Sequence, residues 1–370
     1  MTYKERLKEL FLLFFRMGFT AFGGPAAHVA IMEEEVVEKR GWVSKQEFLD
    51  MYGATNVIPG PNSTELVMHL GYLRAGVLGM IVAGTSFIVP PMVMVMTFAY
   101  IYVEFGTIPE VTSVLYGIKP VILAIILMAL IKLWTKAIKI PFSYILVILV
   151  FGIAFLSVHE LLLMLGAGLL MMVFVNRNKI KAHHSIVLPL WLASDVATPL
   201  RTIFLNFLKI GAILYGGGYV LLVFIETDFV NRLGLITNEQ LLDAIAVGQL
   251  TPGPLFTTAA FVGYLLRGVP GGLLATLGIF LPSFLLVGLL HKILPYLRTN
   301  EWLSGFLDGV IVASLGLMAY VVITLTQTAL LDVWTILIAI VSFVLLFRFK
   351  INSALLVVVG GMLGFLIGLF

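Results

Sequence analysis

The sequence predicts an all-α polytopic membrane protein of two homologous halves in inverted topology, with about 10–12 transmembrane segments. Three observations predict this class. The 370 residues are 60% apolar and 12% charged, with a mean hydropathy of +1.07; a soluble domain is about half apolar and about a quarter charged. Uncharged runs occupy 77–103, 140–158, 269–290, 309–331 and 351–370, each near or above the roughly 18–20 residues that cross a bilayer. The chain also repeats itself at an offset of 193.

At that offset Phe14, Gly18, Gly23 and Gly24 fall on Phe207, Gly211, Gly216 and Gly217. Glu33 falls on Glu226, Asp50 on Asp243, and Pro59-Gly60-Pro61 on Pro252-Gly253-Pro254. After a one-residue slip, Gly71, Gly76, Gly79 and Pro90 meet Gly263, Gly268, Gly271 and Pro282. Glycine, proline and acid matches arise by chance less readily than leucine matches. The expected organisation is a first repeat over 1–175, a basic linker over 176–200 and a second repeat over 201–370.

Each half holds the same parts in order. A helix with one basic residue, Arg16 or Lys209, ends in a glycine-rich break, FGGP or YGGG. The opening segment alternates charge and reads as an amphipathic start rather than a cleaved signal peptide. A polar loop with acids follows, then a segment interrupted by Pro-Gly-Pro, then about four apolar helices. If the Pro-Gly-Pro segments span, each half crosses six times. If they are re-entrant, each crosses five times and the second half is inverted. The loop charges give mixed advice, since this arrangement puts Lys4, Arg6 and Lys8 outside whereas full spans put Lys292 and Lys350 outside; the inverted arrangement is the one expected.

The breaks need a physical reason. In hydrocarbon every backbone N–H and C=O needs a partner, so a broken helix survives only inside protein or beside a wet cavity. Proline ends the incoming helix, and Pro61 or Pro254 suits the first position of the next. A helix start inside the membrane offers unpaired N–H groups and partial positive charge, which hold anions. Paired interruptions in two repeats point to a transporter site; the competing reading is a structural kink inherited by duplication. The expected anion contacts are backbone N–H groups of 24–28, 61–65, 217–220 and 254–258. The candidates are Gly23, Gly24, Pro25, Asn56, Pro61, Asn62, Ser63 and Thr64 in the first half. Gly216, Gly217, Gly218, Tyr219, Gln249, Pro254, Thr257 and Thr258 are those of the second.

Arg16 and Lys209 would supply charge, or else snorkel to the interface. Glu33, Asp50, Glu226 and Asp243 are proton-coupling candidates, or else helix caps and partners of Lys39 and Arg232. His28 and His69 lack counterparts, since Leu221 and Val262 stand in the second half. The chain has no cysteine, and His159-Glu160 and His183-His184 lack metal-site spacing. No catalytic or cofactor motif is present, so no enzyme, metal or cofactor is expected. A net charge of +3 gives no basic stripe for nucleic acid.

The stretches FGGPAAHVAIMEEEV (22–36), EFLDMYGATNVIPGPNSTEL (47–66), YGGGYVLLVFIE (215–226) and LLDAIAVGQLTPGPLFTTAAFVGY (241–264) resemble the chromate ion transporter family, long-chain duplicated type. The resemblance covers nearly the whole chain. It implies oppositely oriented halves and proton-motive export of chromate from the cell across the plasma membrane, conferring chromate resistance. The residues alone imply only an anion carrier, and sulfate transport or an anion channel are the alternatives. Expected partners are chromate or a sulfate-like oxyanion, protons, the lipid bilayer and, as one option, a second copy in a homodimer.

Overall fold

The computed structural model describes residues 1–22, 24–55, 58–156, 158–177, 200–215, 217–290 and 300–369. Most of the expected linker, with His183-His184, lies outside the described residues. Helix α1, Tyr3–Thr20, starts at Thr2, whose hydroxyl accepts from Glu5 N–H while the Glu5 carboxylate accepts from Thr2 N–H. It ends at Ala21, and α2, Gly24–Glu33, continued by a π-helical turn over Glu34–Lys39, runs back beside it. Glu9 meets Arg40 at 3.8 Å near the open end, and Arg16 meets Glu35 at 3.0 Å midway. At the tip the Ala21 carbonyl lies 2.9 Å from His28 Nε2. The α1–α2 pair therefore goes in and returns to the same face.

The Pro-Gly-Pro segment does likewise. Helix α3, Lys45–Thr55, starts beside Trp42, and α4, Asn62–Phe105, begins after Pro61. The first stretch of α4, 62–74, ends where Arg74 stacks 5.1 Å above the Trp42 ring and pairs with Glu9 at 2.9 Å. The entry of α3 and the exit of this stretch are thus neighbours, and the Pro-Gly-Pro turn is the buried tip of a re-entrant hairpin. At Gly76 the chain reverses with φ 64°, a left-handed value that glycine adopts without strain. Just beyond, the backbones at Gly71 and Gly79 approach so closely that a Cβ on either would strike the other's carbonyl. The remainder, 77–105, is a full crossing, followed by α5 (Pro109–Ala137), α6 (Pro141–Ala154) and α7 (Glu160–Val175).

The second half repeats each step. It consists of α8 (Leu200–Ile213), a 3-10 turn over Gly218–Val220, α9 (Leu221–Ile225) with a π-helical turn over Glu226–Arg232, and α10 (Asn238–Leu250). Then come α11 (Thr258–Leu290), α12 (Glu301–Ala329), α13 (Val333–Phe349) and α14 (Ser353–Ile367). Helix α11 reverses at Gly268, φ 59°, and closes Gly263 against Gly271.

The halves are inverted. Gly84 lies against Phe284, Gly272 against Met96 and Gly288 against Met80, so the long crossing of α4 runs antiparallel to its counterpart in α11. The C-terminal hairpins are exchanged across this axis: α6 and α7 pack on α12, while α13 and α14 pack on α5. Small residues set both crossings, Gly117 against Gly360 and Gly364, and Gly309 against Ala167 and Gly168. Outer faces carry large apolar side chains such as Ile148, Leu156 and Leu289, a surface that hydrocarbon tolerates and water does not. Among the described residues four helices, α4, α5, α11 with its leading turn and α12, are long and apolar enough to cross a bilayer. The chain is a multi-pass membrane protein.

Inversion has a direct test, because the chain has no cysteine of its own. Glu38→Cys and its repeat counterpart Asn231→Cys are both exposed positions. An impermeant maleimide should label one only in intact cells and the other only in inside-out vesicles. Labelling of both from one side would rule out inverted halves.

Candidate functional site

The four breaks meet at the centre. Gly60 N–H donates to the Leu214 carbonyl at 2.9 Å, and Gly253 N–H donates to the Ala21 carbonyl at 3.0 Å. These two bonds are repeat images of one another, since Gly60 matches Gly253 and Ala21 matches Leu214 at the same offset. Each Pro-Gly-Pro turn is held by the opposite half's glycine-rich break. Two of the backbone N–H groups released by the breaks are thereby paired within the protein.

Beside the Gly253 clasp lies a cavity of about 50 Å³, above the roughly 10–15 Å³ that one water needs. Ala21, Gly24 and Pro25 of the first half form one wall; Gly218, Tyr219, Gly248 and Gln249 form the other. Thr251, Gly253, Leu255 and Ser353 complete it, and no lining side chain carries a charge. Gly24 opens α2 and Gly218 opens the 3-10 turn before α9, so two helical starts reach the lining with N–H groups that have no intrahelical partner.

The side-chain donors are oriented. Ser353 Oγ donates to Gln249 Oε1 at 3.3 Å, and Gln249 Nε2 donates to the Tyr219 hydroxyl at 2.9 Å. A phenol that accepts in this way has its own O–H proton to donate elsewhere. The chain of bonds runs from α14 through α10 and ends in a donor on the cavity wall.

Of the sequence-predicted residues, Gly24, Pro25, Gly218, Tyr219 and Gln249 come together on this lining. Pro61, Asn62, Ser63 and Thr64 gather at the other turn, where Ser63 lies 3.3 Å from His28 Nδ1. Gly217 precedes the 3-10 turn, and Pro254, Thr257 and Thr258 back the Gly253 turn without lining the cavity; Thr257 donates to the Pro254 carbonyl at 2.8 Å. Gly23, Asn56 and Gly216 lie outside the described residues. Among the acids, Glu33 pairs with Lys45 at 3.0 Å and Asp50 accepts from Gln46 at 3.2 Å on an exposed surface. Glu226 is fully buried and accepts from Asn231 at 2.9 Å. Asp243 is buried, accepts from Tyr102 at 2.9 Å and lies 4.0 Å from Lys119, which also pairs with Glu239.

Arg16 and Lys209 stand elsewhere than on the cavity wall, each bound to a buried acid. Arg16 pairs with Glu35, which also holds Lys39 and Arg40. Lys209 pairs with Asp228 at 2.5 Å, and Arg232 joins Asp228 at 2.9 Å. Glu35 matches Asp228, and Lys39 matches Arg232, at the repeat offset, so one ion cluster occurs twice. The offset that matched Glu33 with Glu226 also carries this second acid pair, with Glu replaced by Asp; requiring identity hides it. His159, Glu160 and Asp228 present three ligand atoms within 4.8 Å of one another. Lys209 lies 2.5 Å from Asp228 and 3.5 Å from Glu160, so its ammonium supplies the cation there.

The two clusters differ in burial, and that difference sets a prediction. Asp228 is fully enclosed, with Lys209 23% and Arg232 36% exposed, whereas Glu35 is 8% exposed, with Arg40 27%, Lys39 53% and Arg16 58% exposed. Breaking a fully buried pair costs about 3 kcal/mol or more, and the cost falls toward about 1 kcal/mol as the partners become solvent-exposed. Asp228→Asn should therefore lower the melting temperature in detergent clearly more than Glu35→Gln. Equal losses would contradict the burial assignment.

The geometry can be set beside known proteins. The chain matches the family described as "Chromate transporter" over residues 8–172 and again over residues 201–365. It is 30% identical over 372 residues to a "Probable chromate transport protein" of Synechococcus elongatus, covering 97% of this chain and 95% of that one. It is 31% identical over 373 residues to a "Chromate transport protein" of Cupriavidus metallidurans, covering 96% and 92%. An "Uncharacterized transporter YwrA" of Bacillus subtilis is 27% identical over 151 residues, covering 41% of this chain and 84% of that one. No solved structure matches. Two matches to one family in a single chain, each on one inverted half, and full-length relatives at 30% and 31% identity establish that this protein belongs to the chromate transporter family.

Proposed function

We propose that the protein is a secondary active carrier that exports chromate across the plasma membrane, coupled to the proton-motive force, and so confers chromate resistance. The substrate site is the cavity between the halves. The observation that supports this reading most is its lining: an uncharged wall of backbone and hydroxyl donors with the Ser353–Gln249–Tyr219 chain ending in a phenol proton. A tetrahedral dianion needs several donors at once and no competing carboxylate. Converging helix starts, an amide and hydroxyls provide these while the side chains add no fixed negative charge.

Export follows if one half rocks against the other about the crossed turns, exposing the cavity to each face in turn. Chromate and sulfate are both tetrahedral dianions, so this wall holds either, and sulfate is the natural competitor. An anion channel is the second reading; it would conduct down the voltage with no response to a pH gradient.

Uptake of labelled chromate into energised inside-out vesicles tests the proposal. Accumulation that collapses with a protonophore and falls with excess sulfate is the expected result. Vesicles that accumulate no more than empty ones would refute chromate export. Gln249→Leu removes the middle of the donor chain and should raise the half-saturating chromate concentration about tenfold, the effect of losing one charge-assisted hydrogen bond. An unchanged half-saturation would move the substrate away from this wall.

A further inference from the structure

The two matched turns are not equivalent in content. Gly253 lines the cavity. Its image Gly60 faces no such space: a Cβ there would strike Glu65 Oε1 and Ser283 Oγ. Glu65 stands in the first turn of α4 and folds its carboxyl onto the turn it follows. In the second half the corresponding stretch is Thr257-Thr258, with hydroxyls and no acid. One turn opens onto the cavity, and the other is filled by the protein's own carboxyl.

That carboxyl is buried without a cation partner among the described residues. Glu65 is 0% exposed. Oε1 accepts from Ser283 Oγ of α11 at 3.0 Å, while Oε2 has no hydrogen-bond partner. Glu35 and Asp228 are buried against cations, whereas Glu226 is buried with Asn231 alone and also leaves its Oε2 without a hydrogen-bond partner; Glu65 differs from it in bonding across the two halves. The titratable groups around Glu65 are Tyr215, just past α8, and His69, one turn along the same helix. His28 of α2 reaches the neighbouring Ser63, and α11 contributes only the Ser283 hydroxyl.

We propose that Glu65 is the coupling group of the transport cycle, taking a proton from water on one side and releasing it to water on the other. The inference rests on the reading of the cavity as the oxyanion site of a proton-coupled carrier. Its geometry suits the task. The Ser283–Glu65 bond joins the first half to the second, so movement of one half against the other bears directly on what the carboxyl meets. A proton on Glu65 also alters by one unit the charge of the crossed-turn core, beside the turn where the second half holds its anion. Proton and anion occupancy are thereby linked.

The test uses purified full-length protein in proteoliposomes, with chromate as the probe. Two quantities are compared: chromate counterflow without a pH gradient, and the stimulation of chromate flux by an imposed pH gradient at fixed voltage. Glu65→Gln should keep counterflow at the wild-type rate and lose the stimulation. Full stimulation in Glu65→Gln would overturn the proposal, as would loss of counterflow in a variant that reconstitutes as a folded protein. No chromate flux in the wild type would instead sink the reading of the cavity, and Glu65 with it. Where Glu65→Gln does not reconstitute, Ser283→Ala decides, because it keeps the acid and removes its donor. Its pH profile of stimulated flux should shift by about half a unit or more, and an unshifted profile would overturn the assignment.

Discussion

The structure depends on one constraint: a helix broken inside hydrocarbon must find partners for the backbone groups it releases. This chain breaks four helices and ties two of the released N–H groups to carbonyls of the opposite half. Gly60 N–H to Leu214 carbonyl and Gly253 N–H to Ala21 carbonyl tie each Pro-Gly-Pro turn to the break of the opposite half. Within each half the turn and the break also touch, as His28 does Ser63 and Gly218 does Leu255, but the backbone clasp itself is made across the halves. The reciprocal clasp joins two halves in opposite orientation, and it places four chain breaks at one point. A cavity there is lined by backbone, which lets a small anion approach N–H groups closely.

Duplication supplies the frame, and divergence supplies the chemistry. The ion clusters of Arg16–Glu35 and Lys209–Asp228 are retained in both halves, consistent with a role in holding each first hairpin closed. The groups that differ lie at the centre: Glu65 against Thr257-Thr258, His28 against Leu221, His69 against Val262. Charged pairs also cross between halves, as where Lys119 of α5 meets Asp243 and Glu239 of α10. A perfectly symmetric molecule would offer two identical sites. This one offers a donor-lined cavity on one side and a buried acid on the other.

Much of this was legible in the chain. Uncharged runs and the repeat offset predict helical, duplicated, membrane-embedded architecture, and the Pro-Gly-Pro and glycine breaks mark where the halves meet. Five of the residues singled out for anion contact line the cavity because they sit on those breaks. Other features depend on packing between distant segments. Nothing local in the sequence says that α13 and α14 leave their own half to pack on α5, or that Ser353 reaches Gln249. Arg16 and Lys209 look available in sequence because their acid partners lie nineteen positions on, across a hairpin. Glu65 reads as one polar residue among several until the reversal at Gly76 and the antiparallel α11 enclose it against Ser283.

In the proposed function the anion sits between the first half's glycine-rich break and the second half's Pro-Gly-Pro turn. Selenate, a tetrahedral dianion with an anomalous scatterer, locates it directly in a crystal of the protein. The expected peak lies between the Gly24–Pro25 wall and Gly218, within hydrogen-bond reach of the Tyr219 hydroxyl. A peak at the Arg16 or Lys209 clusters, with the cavity empty, would contradict the assignment.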